Sequence, residues 1–392
     1  MKTRKRVLGE EHPDSLLSMS NLALTYWNQG RWQEAEELQV LVMKTRKQVL
    51  GEGHPDSLTS MANLASTYWN QGRWKEAEEL EVLVMETRKR VLGEEHPDSL
   101  KSMANLAMTY LNQGRWKEAE ELGVLVMETR KRVLGEEHPD SLTSMSNLAL
   151  TYWNQGQWKE AEELGVLVME TTKRVLGEEH PDSLTSVSNL ASTYWNQGRW
   201  KEAEELGMLV METRKRVLGE EHPDSLRSMA NLASMYRSQG RWKQAEELQE
   251  LVMETTKRVL GEEHPDSLNN MANLAVTYWG QGRWKEAEKL GVLVMETRKR
   301  VLGEEHPDSL TSMGNLASTY WKQGRWKEAE ELEVLVMETM KRVLGEEHPD
   351  SLTSMANLAS TYRSQGRSKE AEELDVLVAT GKRVPVKEQP DS

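Results

Sequence analysis

HPDSLTSMANLASTYWNQGRWKEAEELEVLVMETRKRVLG, residues 54–93, is the clearest of nine copies of a single stretch. The nine histidines, His12, His54, His96, His138, His180, His222, His264, His306 and His348, stand 42 residues apart, and each opens an HPDSL pentapeptide. A fixed period of this size is the mark of a solenoid, in which each unit buries its apolar face only by stacking on the next. The 392 residues therefore read as one continuous array with a running core, not as two or three separate domains.

Two glycines divide the copy. Before Gly72, residues Leu58, Met61, Leu64, Ala65 and Tyr68 follow steps of three and four, the period of an amphipathic helix. Pro55 suits the first helical position, His54 or Asp56 can cap it, and Gly72 can take the positive φ that ends it. This is helix A, roughly residues 55–71. Helix B, roughly 75–92, carries Ala77, Leu80, Val84, Thr87 and Val91, widened by Val82, Met85 and Leu92. Its acids come early (Glu76, Glu78, Glu79) and its bases late (Arg88, Lys89, Arg90), which complements the helix dipole; Gly93 ends it. The short turn requires the two helices to pack antiparallel, with the next pair stacked upon them.

Composition narrows the function. The net charge of -14 disfavours a nucleic-acid or anionic-membrane partner, since phosphate attracts basic surfaces. There is no cysteine, which removes disulfides, thiolate nucleophiles and thiolate metal sites. The longest apolar runs are pieces such as Val82–Met85, too short to span a bilayer, and the basic start has no apolar stretch behind it. The expectation is a cytoplasmic protein.

Asn63-Leu64-Ala65, Tyr68, Gln71-Gly72-Arg73-Trp74 and Glu76-Ala77 resemble the tetratricopeptide (TPR) repeat, whose usual period is about 34. The longer 42-residue form is similar to the repeats of kinesin light chains and to arrays at the C-terminal end of fungal NOD-like receptors, the STAND signalling proteins. The resemblance implies an all-α, right-handed superhelical solenoid of antiparallel helix pairs. Two departures stand out. Trp replaces Tyr or Phe in the A–B turn (Trp32, Trp74 and their equivalents), with Ser368 in the last copy; and no heptad segment or phosphate-loop motif accompanies the repeats.

Along the chain, residues 1–8 match the end of a helix B, complete pairs follow from residue 12, and the copy opened by His348 decays. The solenoid is expected over 1–378, with 379–392 a disordered, degenerate copy of the linker. Neither end carries a polar capping repeat, so the chain reads as a fragment or as one that self-associates through its ends.

The copies differ mainly at five helix-A positions, those of Thr59, Ala62, Ser66, Trp69 and Asn70, which share one face opposite the packing stripe. In TPR proteins that face lines the ligand groove. Amid the variation one residue is constant: Asn21, Asn63, Asn105, Asn147, Asn189, Asn231, Asn273, Asn315 and Asn357. Stacking sets these amides in a ladder, and in kinesin-light-chain-type repeats such asparagines hold an extended peptide backbone, an amide being both donor and acceptor. The competing reading has each Asn bonding a neighbouring helix. Beside them run Trp27, Trp69, Trp153, Trp195, Trp279 and Trp321, an apolar strip if exposed. Arg237, Arg363, Lys101, Arg227 and Lys322 add cationic points. The reading is a non-enzymatic scaffold for a protein or extended peptide with aromatic and acidic residues. The alternatives are the sensing array of a NOD-like receptor and a self-associating structural solenoid.

No catalytic or metal site is expected, and no cofactor. Each repeat offers a single His beside a helix start, where capping explains it, and no serine has an activating neighbour. The glutamates of K-E-A-E-E-L read as a solvated face and the repeated methionines as core.

Overall fold

A computed structural model describes residues 8–381 apart from Glu10 and Gly30. Among the described residues every regular element is an α-helix, eighteen in all. The first six pairs are α1 (Pro13–Asn28), α2 (Trp32–Leu50), α3 (Pro55–Asn70), α4 (Trp74–Leu92), α5 (Pro97–Asn112), α6 (Trp116–Leu134), α7 (Pro139–Asn154), α8 (Trp158–Leu176), α9 (Pro181–Asn196), α10 (Trp200–Leu218), α11 (Pro223–Ser238) and α12 (Trp242–Leu260). Three pairs follow: α13 (Pro265–Gly280), α14 (Trp284–Leu302), α15 (Pro307–Lys322), α16 (Trp326–Val343), α17 (Pro349–Ser364) and α18 (Ser368–Gly381). The chain forms two compact units, one up to Pro265 and one from Asp266. In the first unit every helix packs on the next, and in the second α14 to α18 do, the expected stack of helix pairs.

The ends of the helices are fixed by local chemistry. His54 Nδ1 accepts the Asp56 N–H at 3.1 Å, so the histidine is the N-cap, and Pro55 follows at the first position. At the other end Gly72 takes φ 71°. Its N–H bonds the Trp69 carbonyl at 3.0 Å, and the Arg73 N–H bonds the Tyr68 carbonyl at 2.9 Å. This is the Schellman arrangement, and it leaves only Gln71, Gly72 and Arg73 between the helices.

The core repeats with the sequence. Leu58, Met61, Leu64 and Ala65 of α3 and Ala77 and Val84 of α4 are buried. Each layer borrows from its neighbour: Met85 of α4 packs against Leu100, Met103 and Val126 of the following pair. One expectation needs correcting. Val91 and Leu92 were placed in the packing stripe, but they are 56% and 38% exposed, because the last turn of the long helix B outruns the helix it packs against. At the C-terminal end α18 continues to Gly381, three residues into the segment expected to be a disordered tail. The rest of that tail, and residues 1–7 at the start, lie outside the described residues.

Adjacent pairs are also tied at their turns. Arg73 Nη1 and Gln71 Nε2 reach Glu36 of the preceding pair at 2.9 and 2.8 Å, while Arg73 Nε holds Glu76 of its own at 2.9 Å. The same guanidinium lies 4.1 Å over the Tyr68 ring. Arg115 repeats the pattern with Glu78 and Glu118. These ties are half-exposed and worth under about 1 kcal/mol each, so they set register more than stability.

Candidate functional site

Cavities open where successive A helices diverge over a helix B. One of 310 Å³ lies between α1 and α3, lined by Asn21, Leu24, Trp27, Gln39 and Asn63. A second, of 290 Å³, has Asn147, Leu150, Trp153, Gly165 and Asn189 at equivalent places between α7 and α9. In the second unit Val276, Trp279, Gly291, Asn315 and Ser318 line a third, of 180 Å³. Each brings together the constant Asn, the Trp row and the variable position of Ser66, as their shared helix face requires.

The asparagines are exposed or half-buried throughout. Asn273 has a partner within the chain. Among the described residues the other eight side-chain amides, those of Asn21, Asn63, Asn105, Asn147, Asn189, Asn231, Asn315 and Asn357, make no hydrogen bond to another helix.

The tryptophans Trp27, Trp69, Trp153, Trp195, Trp279 and Trp321 are all half-buried, so they do not form a bare apolar strip. The indole N–H groups of Trp27, Trp69 and Trp153 are buried without an acceptor. Trp321 donates to Ser364 Oγ at 3.0 Å, and Trp279 reaches the Ser318 carbonyl at 3.5 Å.

The cationic points behave otherwise than expected. Arg363 is ion-paired with Asp375, and Arg227 with Asp224 at 2.9 Å. Lys322 Nζ sits over the Trp279 and Trp321 rings, 5.2 and 5.1 Å from their centroids. Arg237 is half-buried and already engaged, and burial pushes its guanidinium below the usual range. Of the five only Lys101 has no partner among the described residues. Arg227 is paired within its own helix, Arg363 with the other helix of its pair, and Lys322 with a ring of the preceding repeat and with its own neighbour.

Sequence reasoning missed a position on helix B. Gln39, Gly165 and Gly291 form the floors of the three cavities, and they occupy the same place in the repeat. That place holds glutamate in two copies (Glu81 and Glu333), Asp375 in the last, glutamine in two and glycine in four. At Gly165 a Cβ would meet Leu190 Cδ1 at 3.3 Å, so a side chain there must displace the next A helix's leucine. Glu81 and Glu333 are only 6% exposed, and each has Oε2 buried without a hydrogen-bond partner. Burial pushes the Glu81 carboxyl up to about 7, the Thr109 hydroxyl opposing and the Glu78 charge adding to the shift. The signal was present as copy-to-copy variation, but it lay inside a run of glutamates read as solvated.

A stack of two-helix units closed by glycine turns, with ligand-sized cavities on one helix face, defines an α-solenoid repeat protein. The chain belongs to the tetratricopeptide repeat family, whose sequence pattern it matches over residues 14–82, 105–174, 143–208, 182–254, 228–292, 309–350 and 351–383. None of the curated proteins matches it. A Podosopora anserina protein assigned to the kinesin light chains, with nearly identical TPR-like repeats, is 36% identical over 53% of this chain and 98% of that one, TM-score 0.47. A Rap protein solved in complex with Competence and Sporulation Factor aligns over 94% of this chain and 98% of its own, at 10% identity and TM-score 0.60. A STAND protein with a tetratricopeptide repeat sensor, from Pyrococcus horikoshii, aligns over 89% of this chain and 53% of its own, at 13% identity and TM-score 0.52. Among the described residues no helix is long and apolar enough to cross a membrane.

Proposed function

We propose that the chain is a non-enzymatic scaffold that holds an extended peptide, or an extended segment of a protein, along the A-helix face, in the cytoplasm and without a cofactor. The observation that carries this reading is the eight asparagine amides with no bond to another helix, five of which (Asn21, Asn63, Asn147, Asn189 and Asn315) line the cavities, two of these beside the acceptor-less indoles of Trp27 and Trp153. A peptide backbone supplies donors and acceptors at regular intervals, which is what a row of amides can use. The expectation of an acidic ligand loses its support, since four of the five cations that suggested it are occupied within the chain. The aromatic preference keeps its basis in the cavities walled by Trp27, Trp153 and Trp279.

The test is to select binders from a random heptapeptide library against the whole chain and measure them by calorimetry. Asn147→Ala, Asn189→Ala and Asn231→Ala together are expected to weaken binding tenfold or more, each lost bond to ligand being worth about 1 kcal/mol. Unchanged affinity would sink the groove reading. A sensing array of a NOD-like receptor would use the same face, and differs only in what else the ligand switches. Self-association through the ends predicts instead a size in solution that rises with concentration.

A further inference from the structure

The floor position of the cavities has a partner position in the same repeat. Twelve residues before Asp375 stands Arg363, on the Trp-row position of α17, and the two are ion-paired. The last repeat thus contains, within one chain, a cation on the groove face neutralising an acid on the floor. Repeats two and eight have the acid with tryptophan in place of that cation: Trp69 stands twelve residues before Glu81, and Trp321, whose ring already carries Lys322, before Glu333. Glu81 Oε2 is buried with the Thr109 hydroxyl as its polar neighbour, and Glu333 Oε2 with that of Thr361. The charge acting on each acid is another glutamate, Glu78 for the first and Glu330 for the second. A buried carboxyl that meets only one neutral hydroxyl is costly to ionise, and a cation brought to it would relieve that cost. The tryptophans in front are suited to the approach, because Lys322 shows that faces in this row accept an ammonium group.

We propose that the groove face over Glu81 and over Glu333, which stand at the place of the cavity floors in their repeats, takes a guanidinium or ammonium side chain of the bound peptide at each, the carboxylate serving as counter-ion in the way Asp375 serves Arg363. This rests on the groove reading and makes its ligand cationic at defined places. Where the floor is Gly165 or Gly291 the site is a neutral cavity and takes an apolar side chain instead.

The experiment uses the whole chain and two dye-labelled pools of blocked heptapeptides. Their flanking residues are randomised, and the central residue is arginine in one pool and its neutral isostere citrulline in the other. The wild type is expected to bind the arginine pool about tenfold more tightly, the scale of one charge-assisted pair. Glu81→Gln with Glu333→Gln is expected to bind both pools alike, at the wild-type affinity for citrulline. Gln39 and Gln249 already fill this position in two repeats, so the fold accommodates the change, and a thermal melt confirms it. An arginine preference that survives in this variant, or that the wild type lacks, overturns the proposal and leaves the groove standing. A third chain with Asn63→Ala, Asn105→Ala, Asn315→Ala and Asn357→Ala separates the two readings. It should weaken both pools. If it weakens neither, or if the wild type binds neither pool, the groove reading fails and this proposal with it.

Discussion

At the scale of single residues, Glu81 couples burial to protons. Its folded pKa of about 7 lies above the ordinary 4.5, burial being the main cause. In that interval the folded chain keeps a proton that the unfolded chain releases, so stability is full below the lower value, falls as pH rises, and is fully lost above the higher one. The loss is of order 3 kcal/mol, less whatever relaxation lets water in. Glu81→Gln is therefore expected to match the wild type near pH 4 and to exceed it by up to about that amount near pH 8, read from urea midpoints at the two pH values. A gap that does not change with pH would mean the carboxyl is solvated. This site was illegible in the sequence for a physical reason. Glu81 follows Glu76, Glu78 and Glu79 in one helix, and it differs from them in being buried within the stack, which the sequence run does not show. The asparagines were legible because their constancy interrupts a varying face, whereas the internal pairing of Arg363 depends on where α18 places Asp375.

At the scale of the helix, the ends were the most legible part of the fold. Proline and glycine act on their own backbone, so α3 and α4 begin and end within a residue of the sequence reading. Val91 was misplaced because periodicity records which face a residue shares, not whether the neighbouring helix is long enough to cover it. Two expectations follow for the caps. Gly72→Ala forces a side chain into φ 71° and should cost about 1 kcal/mol. His54→Ala removes the acceptor for the Asp56 N–H and should cost a similar amount, about 1 kcal/mol. Chemical denaturation checks both, and a Gly72 variant as stable as the wild type would show that the turn tolerates another geometry.

At the scale of the whole molecule, stability is a sum over neighbours within each unit. Met145 is a buried core residue of α7, packed with Leu142, Val168 and the preceding Met127. Met145→Ala should cost about 2–4 kcal/mol, felt locally. Hydrogen exchange is expected to quicken in its own pair and the two adjoining pairs, with distant amides unchanged. Acceleration spread evenly over the first unit would mean that the stack melts as one body.

The ties at the turns have an evolutionary side. Arg73 grips Glu36 behind and Glu76 beside it, and Arg115 does the same one repeat later with Glu78 and Glu118. Because the junctions are built on one plan, with Gln157 the exception to the arginine tie, excising one whole period inside a unit rejoins two surfaces that already fit; excising a residue more or fewer does not. Recombination between such near-identical segments can therefore lengthen or shorten the array without inventing a junction. Each gain or loss would carry its own floor residue with it, so that, under the proposed groove reading, copy number would reorder the sequence of sites along the surface.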